Sequence, residues 1–255
     1  MNIHTYGADA RLNYCREYLL TKRIHSVGNV VLLPIPSAKG GKLVKLGSES
    51  EFEQMCSRLN AGDVVVGYEL PREIRATLMS LGAICVDVSG DEEYLKENAD
   101  LTAIGTLGRL LTEEVAAPAD MKVGIIGYGR IGERLVHLLL FLGAKVTVFT
   151  SKSGLLENLC MLGVSGADSL SINSPDALDK LQGLDILINT APARLISDAA
   201  AKRIASARVI ELASGENFPK EISCERFSSV PSYMYPKSAG VVLGKAVLRM
   251  LGEKN

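Results

Sequence analysis

The sequence predicts an α/β protein, and two observations carry that reading. Short β-branched apolar runs alternate with helix-length amphipathic stretches from end to end, and a glycine-rich hexapeptide separates one such run from the helical pattern after it. The runs are Val30-Val31-Leu32-Leu33, Val64-Val65-Val66, Ile84-Cys85-Val86, Val123-Gly124-Ile125-Ile126, Val146-Thr147-Val148-Phe149, Ile186-Leu187-Ile188 and Val209-Ile210-Glu211-Leu212. Runs this short without polar alternation suit parallel strands covered on both faces by helices.

The 255-residue chain is at the size where single cores stop growing, ~250 to 300 residues, and the pattern divides near residue 120. Residues 1–97 read as a smaller N-terminal α/β domain. Its first strand leads through Gly7-Ala8-Asp9-Ala10-Arg11 into a helix ending near Leu20. Residues 34–50, rich in Gly and Ser and carrying Pro36, read as a loop, a lid or an insertion. Residues 98–120 form a connecting helix and linker, on the spacing of Leu101, Ile104, Leu107, Leu110 and Leu111, with Pro118 as its stop. Residues 121–237 form the second domain. Residues 238–255 carry a stripe of Val241, Val242, Ala246, Val247, Met250 and Leu251 and are expected to cross back onto the first domain. Two lobes joined by helices would hold a substrate in the cleft between them.

A formal net charge of -1 with no Lys/Arg block leaves no electrostatic footprint for nucleic acid or a membrane surface. The first residues lack the basic start and apolar run of a signal peptide, so a cytoplasmic protein is expected. The five cysteines, scattered without CxxC spacing or a neighbouring His, read as reduced and mostly buried, with no metal site.

The hexapeptide is Gly127-Tyr128-Gly129-Arg130-Ile131-Gly132. It follows a strand and opens a helix whose buried face (Leu135, Val136, Leu138, Leu139, Leu142) ends at Gly143, and a second strand follows. This is the context of a Rossmann-type dinucleotide fingerprint. The first glycine permits the tight turn, the second lets backbone approach the pyrophosphate, and the third lets helix and strand pack closely. An NAD site normally has an acid about twenty residues on, to bond the ribose hydroxyls. Here the second strand ends Phe149-Thr150-Ser151-Lys152, with hydroxyls and an ammonium that suit an added phosphate. The expected cofactor is NADP, with NAD as the alternative. Asn189, Thr190, Ala191 and Pro192, at the end of a later strand, are expected on the nicotinamide side.

With these pieces in place the chain resembles the family formed by the A subunits of dipicolinate synthase. More distantly it resembles the NAD-binding domain of D-isomer-specific 2-hydroxyacid dehydrogenases. The strings that carry this are Gly7-Ala8-Asp9-Ala10-Arg11, Asn98 with Leu101-Thr102-Ala103-Ile104-Gly105-Thr106, the hexapeptide, Ile188-Asn189-Thr190-Ala191-Pro192, Leu212-Ala213-Ser214 and Pro236-Lys237-Ser238-Ala239-Gly240. The resemblance implies a flavodoxin-like first domain, NAD(P)-dependent oxidation of a cyclic dihydrodipicolinate-related precursor, and a separate flavoprotein as partner. Two positions depart from that family: Ile104 stands where it has an acid, and Gly215 where it has Arg after Leu212-Ala213-Ser214. The dehydrogenase family's catalytic His is also missing, because the three histidines are His4, His25 and His137, and Lys237 follows the proline instead.

Lys237 is therefore the first catalytic candidate, as an ammonium able to bind a carboxylate or exchange a proton. Ser214 is the second, with Glu216 as a group that could orient Lys237. Arg11, Asn98, Thr102 and Ser238 are candidate substrate ligands, and Thr106 extends the face of Asn98 and Thr102. Asp9 as a helix cap and Arg11 as surface charge are the plainer readings, as is Ser238 as the cap of the last helix. The expected activity is an NAD(P)-dependent oxidoreductase on a small anionic substrate. The alternative is a non-catalytic NAD(P)-binding sensor or an assembly component of a flavoprotein complex. A homodimer is the default oligomer.

Overall fold

A computed structural model describes residues 2–22, 24, 28–39, 42–43, 49–168, 172 and 174–253; His25 lies outside them. The chain divides into two compact units, Met1–Asn98 with Pro231–Asn255, and Ala99–Val230. The chain re-enters the first unit from Pro231.

In the first unit the elements follow as β1 (Ile3–Thr5), α1 (Ala10–Leu20), β2 (Val30–Leu32), the short strands β3 (Ala38–Lys39) and β4 (Lys42–Leu43), α2 (Glu49–Cys56), β5 (Val64–Gly67), α3 (Arg72–Ser80) and β6 (Ile84–Asp87). Then α4 (Glu92–Glu113) begins. Strands β1, β2, β5 and β6 pair in that order, all parallel. The runs of β2 and β5 are covered throughout, every residue being buried, whereas Ile84 of the edge strand β6 is exposed and Cys85 half-buried. The expected loop 34–50 holds an antiparallel pair, β3 with β4, among its described residues.

Backbone turns in this unit are held by carboxylates. Asp63 accepts from the N–H groups of Asn29 at 2.7 Å and Asn60 at 2.9 Å. Asp87 accepts from Glu69 and Leu70 N–H, each at 3.0 Å, which fixes the turn where Glu69 takes a φ of 52°.

After α9 (Val230–Met234), the last helix α10 (Pro236–Met250) completes the first unit by lying on α1. The approach is close because Gly240 has no side chain: a Cβ there would stand 2.5 Å from the Arg11 carbonyl oxygen and 2.7 Å from the Cys15 nitrogen. Gly244 gives the same room to the Tyr18 ring. Further along, Arg249 donates two hydrogen bonds to Asp91, at 2.9 and 3.0 Å.

The second unit runs β7 (Lys122–Ile126), α5 (Arg130–Phe141), β8 (Lys145–Thr150), α6 (Leu156–Met161), β9 (Ser165–Asp168), α7 (Pro175–Leu181), β10 (Ile186–Asn189), α8 (Asp198–Arg203), β11 (Arg208–Glu211) and β12 (Cys224–Arg226). Its six strands are parallel in the order β12-β11-β10-β7-β8-β9. The chain leaves β7 in one direction through β8 and β9 and returns to build β10, β11 and β12 on the other side. The point of reversal lies between β7 and β10. Ile126, Phe149, Leu181, Leu184, Leu187, Ile196, Ala200 and Val209 fill the core between one face and α7 and α8. Where β11 begins, Arg208 reaches Glu225 and Glu114, each at 2.7 Å, and also Glu113, tying the end of α4 to this sheet.

No helix among the described residues is long and apolar enough to cross a membrane. The cysteines are free, but only Cys15 is buried; Cys160 is exposed on α6 and the others are half-buried. Single-residue hydrophobicity cannot tell a core position from the solvent side of a short helix.

Glycine inside a helix ordinarily destabilises by about 0.5 to 1 kcal/mol relative to alanine, so Gly→Ala usually helps. Gly240→Ala is expected to do the reverse, lowering stability by roughly 1 to 3 kcal/mol through overpacking. Gly90→Ala, which meets nothing within 4 Å, serves as the neutral control. Urea unfolding of both variants checks the contrast.

Candidate functional site

In parallel sheets ligands bind outside the carboxyl ends of the strands, where the strand order reverses. In the second unit the hexapeptide occupies that position, between the end of β7 and the start of α5. Gly127 takes a φ of 94° and donates its N–H to the Phe149 carbonyl at 2.8 Å, which aligns the loop with β8. A Cβ on Gly132 would come 2.2 Å from the Gly127 carbonyl oxygen, so α5 starts as near the turn as backbone permits. A Cβ on Gly129 would meet nothing within 4 Å. Gly129 is also the N-cap of α5, and no side chain caps the helix. A helix N-terminus open in this way offers N–H donors and the positive end of its dipole to an anion. The residues present fit a dinucleotide pyrophosphate.

Beside this loop, on the β8 side, Lys152 places its Nζ 3.2 Å from the Tyr128 carbonyl oxygen. Thr150 is buried, and its hydroxyl accepts the Lys152 N–H at 3.2 Å; Ser151 is exposed. The ammonium is thus drawn to the glycine loop from the second strand. Thr150 shapes that turn.

On the other side of the reversal, the four residues after β10 divide by role. Thr190 donates its hydroxyl to the Ile126 carbonyl at 2.9 Å and lies against the hexapeptide, its Oγ1 standing 2.7 Å from where a Gly127 Cβ would be. Asn189 is 1% exposed, and its amide is spent locally. Nδ2 donates to the Ala191 carbonyl and to Glu211 Oε1, both at 2.9 Å, while Oδ1 accepts the Ala191 N–H at 3.1 Å. Asn189 therefore forms a turn, its amide held by the chain's own groups. Ala191 is half-buried and Pro192 exposed at the rim.

Glu211 is the residue that sequence reasoning missed. It ends β11, is 3% exposed, and accepts from both Asn189 and the Ala213 N–H, the latter at 3.0 Å. Burial raises its carboxyl above the ordinary value, against the pull of the nearby Asn217 amide and of the bonds from Asn189 and Ala213. Its signal was a single acid closing an apolar strand run.

The remaining candidates fall in different places. Ser214 and Glu216 are exposed on the turn after β11, where the Ser214 carbonyl accepts from Asn217 Nδ2 at 3.1 Å. Thr102 and Thr106 are buried on α4, the Thr106 hydroxyl donating to the Thr102 carbonyl at 2.9 Å. The face they share is therefore packed. Arg11, Asn98, Lys237 and Ser238 belong to the first unit. Asn98 is half-buried. Lys237 and Ser238 are exposed in the first turn of α10, whose N-cap is Tyr235, so Ser238 is not the cap.

Arg11 is neither surface charge nor an open ligand group. Its side chain is 4% exposed and donates from Nε to Asp9 Oδ1 at 3.0 Å and from Nη2 to the Ile35 carbonyl at 3.2 Å. Asp9 caps α1 as expected, accepting the Arg11 N–H, and further accepts from Ser232 Oγ at 2.7 Å and Ile35 N–H at 3.1 Å. A guanidinium one residue inside a helix start can turn back on its own capping carboxylate, and here it does.

No family model matches the chain, and no curated protein matches its sequence. Among solved structures it is similar to the dipicolinate synthase A subunit from Bacillus halodurans, with a TM-score of 0.77 at 22% identity over 99% of this chain and 98% of that one. It is similar also to the corresponding dipicolinate synthase chain from Bacillus subtilis, with a TM-score of 0.74 at 17% identity over 99% and 96%. The chain has the fold of these two proteins. A D-isomer-specific 2-hydroxyacid dehydrogenase from Lactobacillus delbrueckii ssp. bulgaricus, in its NAD-complexed form, is a more distant likeness: TM-score 0.53 at 11% identity over 100% and 98%. The resemblance read from the sequence strings thus holds at the level of fold, in the same order of distance.

Burial alone would raise the Asp9 carboxyl, but the Arg11 charge and the bonds from Ser232 and Ile35 outweigh it and hold the group below 3.8. A depressed carboxyl contributes stability that is present above the unfolded value and lost as pH falls through the folded one. Asp9→Asn is expected to cost roughly 3 kcal/mol at neutral pH, since it strands a buried guanidinium. The difference from the unsubstituted chain should shrink as pH drops below 3.8. Urea midpoints for both proteins at neutral and acid pH measure it.

Proposed function

We propose that this chain is an NAD(P)-dependent oxidoreductase, preferring NADP(H), that acts on a small anionic substrate of the cyclic dicarboxylate kind. The observation that carries the reading is the uncapped start of α5 behind the open Gly129, at the strand-order reversal. The NAD-complexed likeness among solved structures supports a nicotinamide cofactor. Fold alone is shared by many reactions, so the finer statements rest on the side chains.

The glycine loop would hold the pyrophosphate through backbone N–H groups, and Lys152 would hold a phosphate on the adjacent ribose as a point charge. When bound, the cofactor supplies the hydride donor or acceptor. The chain's own part is to orient it and to hold the substrate's charge. For the latter Lys237 is the proposed group, an exposed ammonium in the first turn of a helix without a side-chain cap. A cation there opposes the helix dipole, and an anion beside it would relieve that opposition.

A second reading, a non-catalytic NAD(P)-binding sensor or assembly component, is favoured by one observation. Neither His4 nor the exposed His137 of α5 ends a strand of the second sheet, so no histidine supplies a proton at its carboxyl edge among the described residues. Binding without turnover on dihydrodipicolinate-type acids and 2-oxo acids would favour that reading.

Titration with NADPH and NADH tests the cofactor. Lys152→Ala is expected to weaken NADPH about tenfold, some 1.4 kcal/mol, and to leave NADH unchanged. Tighter NADH binding that is indifferent to the substitution overturns the NADP preference. Lys237→Ala should leave both affinities intact and raise KM for the anionic substrate by on the order of tenfold. An unchanged KM removes Lys237 from the site.

A further inference from the structure

The last row of the second sheet pairs Glu211 with Asn189, Asn189 with Ile126, and Ile126 with Phe149. Residues paired in a parallel sheet share a face. This row is therefore apolar on the β7 and β8 side and polar on the β10 and β11 side, although all four residues are buried. Leucine at 189 and 211 would continue the row without desolvating a carboxyl, and apolar replacement of buried polar pairs is often neutral or stabilising.

What the pair does is fix backbone. Through Oε1 alone Glu211 holds the Asn189 amide, which closes the turn to Ala191, and the Ala213 N–H, which starts the turn out of β11. The first of those turns presents Thr190 to Gly127. The second is held at its far side by Arg226 of β12, whose Nη1 donates to the Gly215 carbonyl at 2.9 Å. Glu211 Oε2 is buried and has no hydrogen-bond partner among the described residues. The other groups facing this carboxyl are Asn217 from the turn and Cys224 and Arg226 from β12.

With the phosphates at the glycine loop and the adenosine ribose toward β8, the nicotinamide half of a dinucleotide extends over β10 and β11. We infer that Glu211 is the positioning residue of that half, locking the turns 189–191 and 211–215 through one carboxyl oxygen so that they border the cofactor in a fixed geometry. This rests on the dinucleotide reading proposed for the glycine loop. Burial raises the carboxyl above 4.5, while the bonds that Oε1 accepts pull it down.

The test uses the full chain with Glu211→Leu and Glu211→Gln. Hydrogen exchange on the ligand-free protein reads the turns, thermal melting reads the fold, and NADPH titration reads the site. Glu211→Leu, which leaves the Asn189 amide and the Ala213 N–H short of an acceptor, is expected to melt below the unsubstituted protein yet stay folded, to exchange the Ala191 and Ala213 amides about tenfold faster and to bind NADPH about tenfold more weakly. Glu211→Gln, which keeps an Oε1 acceptor, should restore both exchange and binding. Unchanged exchange in Glu211→Leu, or a glutamine variant as defective as the leucine one, overturns the proposal. Should Glu211→Leu fail to fold, Glu211→Met carries the same readouts, and unchanged exchange in it overturns the proposal. If the unsubstituted protein binds neither dinucleotide, the dinucleotide reading fails, and the proposed positioning role falls with it. The exchange data then report on the two turns alone.

Discussion

The second unit is organised around one close approach. A Cβ on Gly132 would come 2.2 Å from the Gly127 carbonyl oxygen, so helix α5 can begin where it does only because both positions lack side chains. That contact sets the direction of the helix N-terminus and leaves Gly129 open in front of it. It also sets the space that Thr190 fills. From Thr190 the constraint passes through the Asn189 turn to Glu211 and on to Ala213. One line of hydrogen bonds thus ties the ends of β7, β10 and β11 together along the carboxyl edge. A shift at any of them would have to be absorbed by backbone already paired in the sheet.

The first unit meets a similar demand with charge. Asp9 gathers the start of α1, the segment after β2 and Ser232 of α9 around one carboxylate, with Arg11 as its buried counter-ion. An isolated buried carboxylate would be expensive, and this one is matched by a guanidinium and by hydrogen bonds to both oxygens. The unit depends on residues from both ends of the chain. Gly240 and Gly244 allow α10 to lie on α1, and without that helix the apolar side of α1 would be exposed.

Much of this was legible in the sequence where the signal is an absence of side chains or an uninterrupted apolar run. The hexapeptide constrains backbone where Gly127 and Gly132 lack Cβ atoms and leaves Gly129 open, and its flanking strands are apolar because helices cover both faces, so pattern and geometry coincide. Side-chain direction was not legible. Arg11 follows a strand as a ligand-binding arginine would, yet folds back on Asp9. Thr102 and Thr106 have the spacing of a polar face, yet the Thr106 hydroxyl is satisfied by its own helix at 2.9 Å and can therefore be buried. Ser238 has the composition of a cap, but the helix starts before it. Glu211 was read as part of a strand run. A strand run that ends in an acid, in a sheet where the neighbouring run ends in Asn, was the one available sign that the row turns polar at its carboxyl edge.

The turn after β11 shows how position and chemistry separate. The resemblance leads one to expect a guanidinium there, and this chain has Gly215 in its place. Gly215 takes a φ of 101°, a conformation that an arginine side chain would strain. A guanidinium is nevertheless present at that backbone, because Arg226 reaches it from β12 and donates to the Gly215 carbonyl. Arg226 is exposed and is the residue paired with Glu211 in the last row of the sheet. The charge at this turn is supplied from the edge strand, and the left-handed position is a glycine.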